Sequence, residues 1–261
     1  MNLLVFLKMV SRATYTDMLC ADDASDDRLS GGAIEINPAD AYALETSLKL
    51  KDRYGAYVTV LSMSPMLAEP MLRSALAMGA DEAVLVCDRI FAGSDTIATA
   101  KTLSAALKAL PRQDMIFCGS KAIDSETGHI GAQLAALNEL RYMGDVLAVN
   151  ELRDGRLCVK HAGKHGAEEY SLVLPAVFSI INGTGMIRSP TIFGLRSSAK
   201  REIRIMTGDT LHLTAEQAGK NASGTETVRI DRLSFAHRHG AYTDDVHDGA
   251  AGLAEMLECA K

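Results

Sequence analysis

The sequence lacks paired cysteines, which limits the kinds of site that it can hold. Its five cysteines are scattered, and no two of them show the CxxC spacing of a structural zinc site or a redox motif. His161 and His165 likewise have no acidic or cysteine partner at metal-ligand spacing. We therefore predict no bound metal. An odd number of scattered thiols favours a reducing compartment, so we expect a cytoplasmic protein.

Long apolar runs and clustered positive charge are also missing. The N-terminal run Asn2–Leu7 stops at Lys8 without a small-residue cleavage site, which indicates a first strand and not a signal peptide. No later run is long enough to span a membrane. The net charge is −6, and no basic face interleaved with aromatic residues is present. These features argue against a nucleic-acid partner, because phosphate neutralisation needs clustered Lys and Arg.

Common catalytic motifs are absent as well. The chain has no GxxxxGK[ST], GxGxxG, SGGxDS or GxSxG sequence. The run His129-Ile130-Gly131-Ala132 superficially resembles the HIGH motif of nucleotidyl-transferring enzymes, but it follows the fourth expected strand and no KMSKS-like loop accompanies it. We therefore predict no catalytic residue in this chain.

What the sequence does contain is an alternation of strand-like and helix-like segments. Strands are expected at Asn2–Leu7, Tyr57–Met63, Ala83–Cys87 and Asp114–Cys118. Helices are expected at Ala41–Arg53, with Asn37 as a possible N-cap before Pro38, and at Leu67–Met78, Thr96–Leu110 and Ile130–Leu137. Such alternation requires right-handed crossovers. It predicts an α/β protein whose parallel sheet is covered by helices on both faces, a three-layer arrangement.

The second half of the chain changes character. Strand-like pieces at 145–152, 156–161, 167–173 and 176–181, with turns such as Asp154-Gly155, predict antiparallel hairpins that extend or flank the sheet. Residues 187–205 form a basic, irregular segment. We expect a domain over residues 1–205 and, over residues 206–261, an extended C-terminal arm that ends in a short helix and packs on a partner.

The stretch from Asp114 to Leu137 is the best candidate for a ligand site. A strand there ends at Gly119, and a loop of small and polar residues leads into a helix. The first turn of a helix offers unpaired N–H groups and partial positive charge to an anion. Thr127 could cap the helix, and Gly128 and Gly131 would allow close approach. An ordinary strand-to-helix turn is the alternative reading.

Two acids in this loop, Asp124 and Glu126, also have alternative readings. They could form a general acid–base pair, because neighbouring carboxylates split their pKa values. Alternatively, one caps the turn while the other is solvated, or one contacts a ribose or adenine. The residues alone leave these possibilities open.

Several sequence segments, taken in order along the chain, resemble the β subunit of electron-transferring flavoproteins. They include VFLK, INPADAYALETSLKLKDRYG, VTVLSMSP, LRSALAMGADEAVLV, DRIFAGSDTIATAKTL, CGSKAIDSETGHIGAQLA and LPAVFSI. This resemblance covers residues 1–205. It implies a Rossmann-like domain that binds an adenine nucleotide and is partnered, as a heterodimer, with an α subunit that holds a further FAD.

Carried onto this chain, the resemblance implies a nucleotide site at the carboxyl ends of the strands. Its cofactor-binding residues would be Phe6, Leu7, Lys8, Asn37, Asp40, Met63, Thr96, Cys118, Gly119, Asp124, Thr127, Gly128, His129, Gly131 and Arg188. Arg188, if aimed at a flavin ring, would favour its anionic reduced forms.

The resemblance also bears on which nucleotide binds. The loop DSETGHIG is more similar to the DGDT-x-x-x-G loop of FAD-containing, bifurcating members than to the loop of members that hold AMP, so FAD is favoured and AMP is the alternative. Three segments depart from the family pattern. Val10-Ser11-Arg12-Ala13 replaces VPDT, Gly185-Met186-Ile187-Arg188 replaces NEPR, and residues 161–166 replace REIDGG.

The family also implies a second partner, an acyl-CoA dehydrogenase-like or other oxidoreductase. Ile192 would take the place of an anchoring leucine at that contact, with Leu195 beside it. The alternative function is a non-redox adenine-nucleotide sensor or stress-protein-like module with the same pocket. A nucleotidyl-transferring enzyme that uses His129 is a third and weaker possibility.

Overall fold

A computed structural model describes residues 1–12, 33–226, 228 and 245–259. The chain divides into two compact units, Met1–Glu226 and Thr227–Lys261. The division lies after residue 226, whereas the sequence pattern placed it after residue 205. In the second unit the structure describes one long helix. No helix among the described residues has the length and apolar character needed to cross a bilayer.

Eleven strands and seven helices make up the described regular structure. The strands are β1 Asn2–Phe6, β2 Met9–Arg12, β3 Ala33–Ile36, β4 Tyr57–Met63, β5 Glu82–Val86, β6 Met115–Gly119, β7 Arg141–Arg153, β8 Arg156–Gly163, β9 Gly166–Val173, β10 Ala176–Ile180 and β11 Arg204–Met206. The helices are α1 Pro38–Tyr54, α2 Glu69–Met78, α3 Thr96–Lys108, α4 Ile130–Leu137, α5 Ile192–Ser198, α6 Gly208–Leu211 and α7 Val246–Cys259.

Nine of the strands form one sheet in the order β11-β5-β4-β1-β6-β10-β7-β8-β9. The seven strands from β11 to β7 are parallel to their neighbours. Strands β8 and β9 continue the sheet beyond β7 as antiparallel hairpins, as the pattern after residue 140 predicts. The same prediction was wrong for the piece at 176–181, because β10 lies between β6 and β7 and is parallel to both. Strands β2 and β3 form a separate antiparallel pair. The segment that joins these two strands, residues 13–32, lies outside the described residues.

Helices cover both faces of the sheet, so the predicted three-layer α/β fold is confirmed. One apolar cluster joins the sheet to α1 and α2 through Leu44, Leu48 and Leu72. A second cluster joins the opposite face to α3 and α4 through Leu103 and Leu134. Because the parallel strands are buried on both faces, their sequences are continuous apolar runs. Their positions could therefore be predicted from the sequence.

The basic segment 187–205 is more ordered than its sequence suggested. It contains α5, and its last two residues begin β11, which pairs with β5 at one edge of the sheet. Gly194 allows α5 to pack closely on α2, since a Cβ there would overlap the carbonyl oxygen of Ala77. Arg73 then donates hydrogen bonds to the carbonyl oxygens of Ser198 and Arg201. The prediction of an irregular segment was wrong here.

Residues 207–226 are held against the sheet domain by two partly buried aspartates, Asp88 and Asp95. Asp88 accepts hydrogen bonds from the N–H groups of Ile90 and Gly208. Asp95 caps α3 by accepting from the N–H of Ala98, and its second oxygen accepts from the N–H groups of Gly224 and Thr225. These backbone hydrogen bonds lower the pKa of both carboxyls. The segment therefore belongs to the first compact unit.

Candidate functional site

The order of the strands places a topological switch point at the carboxyl ends of β1 and β6, and we call this position the crevice. From β1 the chain continues to β4 and β5 on one side, and then crosses to β6 on the other side. The connections that leave β1 and β6 therefore turn in opposite directions. In an open parallel sheet, ligands bind outside the carboxyl ends of the strands at such a point. The described residues at this edge include most of the predicted site.

Asp40 ties the two sides of the crevice together. Its carboxylate oxygens accept hydrogen bonds from the N–H of Lys8 at 2.7 Å and the N–H of Gly119 at 2.8 Å. Burial raises the pKa of Asp40 to about 6, although both backbone hydrogen bonds oppose this rise. A Cβ on Gly119 would overlap Asp40 and Ala39, so glycine is required for α1 to begin this close to β6.

Asn37 holds the loop that follows β6. Its side chain makes no capping bond to α1. Instead, its amide donates to the carbonyl oxygen of Lys121 at 3.0 Å and accepts from the N–H of Ile123 at 3.1 Å. The expectation that Asn37 caps α1 was therefore wrong, because a buried amide at this position serves the neighbouring loop. Asn37 remains part of the site as its support.

Ion pairs fix the same loop from its outer side. The ammonium of Lys8 lies 2.6 Å from Asp124, and Lys121 lies 3.1 Å from Glu126. Lys8 thus connects the end of β1 to the loop, across the crevice. Asp124 and Glu126 each have a different lysine partner, and this arrangement does not support the acid–base pair.

The loop delivers the chain to α4 through two residues in the left-handed region. Glu126 has φ of 50° and Gly128 has φ of 64°. His129 occupies the N-cap position, and no side chain caps the helix. Thr127 therefore does not act as the predicted cap. Thr127 and His129 are both exposed. Among the described residues, the first turn of α4 therefore has no side-chain cap, as an anion-binding helix start requires.

Not every predicted residue presents its side chain to the crevice. Phe6, Leu7 and Cys118 are buried in the two apolar clusters, so only their backbone lies at the strand ends. Burial raises the pKa of the Cys118 thiol, and it therefore stays neutral. Met63 is half-buried at the end of β4. Thr96 begins α3, and its hydroxyl accepts a hydrogen bond from Gln133 of α4 at 3.3 Å.

Arg188 lies apart from this group. Its guanidinium contacts Glu45 at 2.9 Å and Asp52 at 2.8 Å, both on α1. Glu45 and Asp52 raise the pKa of Arg188 further above its already high ordinary value. Since α1 starts at the crevice and runs away from it, the structure does not bring Arg188 together with the Asp124–Gly131 loop.

The predicted partner residues lie on an apolar surface of α5, formed by Ile192, Phe193 and Leu195. Ile192 is 88% exposed and Phe193 is 83% exposed. Sequence reasoning singled out Ile192 and Leu195 but missed Phe193. Exposed apolar side chains on one short helix are typical of a protein-binding surface.

Sequence reasoning also missed an open cleft on the far side of the loop, with a volume of about 580 Å³. The cleft is lined by Ser120, Lys121, Glu126, Gly128, Tyr142, Asp145, Ser179, Ile181 and Asn182. Among these residues only Gly128 was a predicted cofactor-binding residue, and Glu126 was one of the two acids considered for a ribose or adenine contact. The available signal was a pair of glycines, Gly131 and Gly144, on either side of Tyr142. Among the described residues, no group of acidic, histidine or cysteine side chains is arranged to hold a metal ion.

Comparison with known proteins gives a consistent result. The electron transfer flavoprotein domain matches residues 30–203. The electron transfer flavoprotein subunit beta of Thermoanaerobacterium thermosaccharolyticum is 35% identical over 259 residues, which are 98% of this chain and 98% of that protein. Protein FixA of Bradyrhizobium diazoefficiens is 35% identical over 85% of this chain and 80% of its own length. The caffeyl-CoA reductase-Etf complex subunit CarD of Acetobacterium woodii is 35% identical over 74% of each chain.

Proposed function

Because the chain belongs to the electron transfer flavoprotein family, in its beta-subunit group, we propose that it binds an adenine nucleotide in the crevice between β1 and β6. In this proposal it carries electrons as one half of a heterodimer with an α subunit. The α subunit holds a further FAD. The heterodimer passes electrons between a dehydrogenase or NADH and a partner oxidoreductase.

The observation that carries the nucleotide proposal is the uncapped first turn of α4. Asn37 holds the loop before it, and Asp40 holds the strand before that loop. Unpaired N–H groups that are fixed in position suit phosphate oxygens, because the protein loses little conformational freedom when they bind. Lys8 would lie near the same phosphates, with its ammonium paired to Asp124. His129 and Gly128 border them.

FAD is the nucleotide that we favour over AMP, on the likeness of the loop DSETGHIG to the loop of FAD-containing relatives. When bound, FAD supplies one- and two-electron transfer through its ring. This chain supplies the position of the cofactor and the electric field around it. The proposal includes flavin-based bifurcation of electrons from NADH. Residues 10–13 depart from the family's VPDT, so bifurcation does not follow from FAD binding alone.

Arg188 enters the proposal in a different way from the other site residues. Two carboxylates of α1 already compensate its charge. Its backbone N–H also donates to Glu45, at 3.1 Å. We therefore propose that Arg188 affects the cofactor indirectly, by fixing the start of the segment 187–205 against α1. Its charge is compensated by Glu45 and Asp52 and would not act directly on a flavin ring.

Partner binding is proposed for two parts of the chain. The α5 apolar surface would contact the oxidoreductase, and the C-terminal segment would pack on the α subunit. The relative CarD is named as a subunit of a caffeyl-CoA reductase complex. A relative in Anaerotignum propionicum is named acryloyl-CoA reductase electron transfer subunit gamma. These names support an oxidoreductase that acts on CoA thioesters as the partner.

Analysis of bound nucleotides tests the proposal directly. The chain is co-purified with its α subunit and denatured, and the released nucleotides are identified and counted per heterodimer. Two flavins are expected. One flavin and one AMP per heterodimer would show that this chain binds AMP and not FAD. Absence of any adenine nucleotide would refute the site. A nucleotide-bound chain without an α subunit or electron transfer would instead favour the non-redox sensor.

A further inference from the structure

We propose that Tyr142 is a positioning residue, whose ring holds the first turn of α4 at the end of β6. The inference rests on the proposed function, because it concerns how the phosphate-binding turn is kept in place. Tyr142 is the second residue of β7. Its side chain is 37% exposed and forms part of the wall of the open cleft.

The ring of Tyr142 lies between two glycines that could not be replaced without displacing it. A Cβ on Gly131, in the first turn of α4, would lie 3.0 Å from Cε2 of Tyr142 and 2.9 Å from Sγ of Cys118. A Cβ on Gly144 would lie 3.2 Å from the Tyr142 hydroxyl oxygen. The first turn of α4 therefore rests directly on Cys118 of β6 and on the ring.

The ring is itself held by the sheet. The Tyr142 hydroxyl and Ser179 Oγ are 3.0 Å apart and share a hydrogen bond. Ser179 is buried on β10, which pairs with both β6 and β7. Burial raises the pKa of Tyr142, so its phenol stays neutral at physiological pH. A ring with few available orientations can fix the helix that packs on it.

Removing the ring should change where the first turn lies, without removing a direct ligand contact. The turn would lose its contact with the ring and keep its contact with Cys118. Hydrogen bonds from N–H groups to a phosphate weaken steeply with distance and angle. A small shift of the turn should therefore lower affinity for any ligand whose phosphate binds there. AMP and FAD should lose affinity by the same factor, because both would place a phosphate at this turn.

Three variants of the full-length chain test this inference. Tyr142→Ala removes the ring, and Tyr142→Phe keeps it. Tyr170→Ala is the matched control, because Tyr170 is 44% exposed in the same antiparallel extension and makes its hydrogen bond to Glu168 instead. Dissociation constants for AMP and for FAD are measured by calorimetry on the folded, monodisperse fraction, and thermal midpoints are recorded in parallel.

We expect Tyr142→Ala to weaken AMP and FAD about tenfold each, the scale of part of a helix-terminus interaction with an anion. Tyr142→Phe should restore affinity to within about threefold of wild type, and Tyr170→Ala should leave it unchanged at a similar thermal midpoint. Unchanged affinity in Tyr142→Ala, an equal loss in Tyr170→Ala, or no rescue by phenylalanine would each overturn the inference. A loss confined to FAD would also overturn it, since it would indicate direct contact with the flavin half. If the wild-type chain bound neither probe, the proposed function itself would fail.

Discussion

Asp40 offers the sharpest test of how the crevice is held. It is buried, and its carboxylate accepts two backbone hydrogen bonds from opposite sides of the site. Replacement by asparagine keeps the shape and one acceptor, but it places an NH₂ group against one of the two N–H donors. An unsatisfied buried donor costs about 1–3 kcal/mol. At pH 7.5, where Asp40 is ionised and both of its oxygens accept, we expect Asp40→Asn to lower the free energy of unfolding by about that amount.

The pH dependence of this loss gives a second and more specific expectation. The pKa of Asp40 is about 6 in the folded chain, against an ordinary value of 3.8 for an aspartate carboxyl. A carboxyl with a raised folded pKa binds its proton more tightly when folded, so its contribution to stability is full below pH 3.8 and is lost as the pH rises through 6. From linkage, the contribution at pH 4.5 exceeds that at pH 7.5 by about 2 kcal/mol.

Urea unfolding of wild type and Asp40→Asn at pH 4.5 and pH 7.5 measures this difference. Other titrating groups are shared by both proteins and cancel when the two free energies are subtracted. The difference in unfolding free energy should therefore be about 2 kcal/mol larger at pH 4.5 than at pH 7.5. A difference that is instead larger at pH 7.5 would mean that the two N–H bonds outweigh burial and that the pKa lies below its ordinary value. The reasoning about Asp40 would then be wrong.

Three further substitutions probe other parts of the chain. Gly119→Ala should drive a Cβ into Asp40 and destabilise the chain by about 1–3 kcal/mol in urea unfolding; an unchanged midpoint would contradict the close approach. Asp95→Ala should lower the free energy of unfolding by about 1 kcal/mol through the lost cap, and it should speed limited proteolysis near residue 224. Unchanged proteolysis would show that other contacts hold this segment. Phe193→Ser should leave stability within about 0.5 kcal/mol, since the side chain is exposed, yet weaken binding of the partner oxidoreductase in calorimetry. Equal binding would exclude the α5 apolar surface as the contact.

The parts of the fold that could be predicted from sequence are those where local pattern and tertiary environment agree. Strands buried on both faces are continuous apolar runs, and α4 was predicted with its observed bounds, Ile130–Leu137. Helix α5 was missed for the opposite reason. It has only seven residues, and its apolar side chains point away from the core. A short helix without a buried apolar face leaves no periodic signal in the sequence.

The candidate site shows the same limit at the level of single residues. The family resemblance implied that Asn37 and Asp40 lie at the site, and the topology of the sheet agrees with that position. What they bind does not follow, because Asn37 contacts a loop 84 residues away along the chain. An asparagine before a proline is a strong local signal for a helix cap. In the folded chain the Asn37 side chain hydrogen-bonds to the loop after β6 instead of to α1. A contact between residues so far apart along the chain leaves no local sequence pattern.

Topology also separates the two proposed working surfaces of the first compact unit. Helix α2 leads through Gly79 into the start of β5, so Ala77, against which α5 packs, lies near the edge where the strands begin. The crevice and α4 lie at the edge where the strands end. A five-residue strand spans about 16 Å, at roughly 3.3 Å per residue. A protein docked on the α5 apolar surface would therefore contact the edge of the sheet opposite to the crevice. It follows that substitutions on α5 should alter association with the partner while nucleotide affinity stays the same, and that substitutions at Asp40 or Tyr142 should do the reverse.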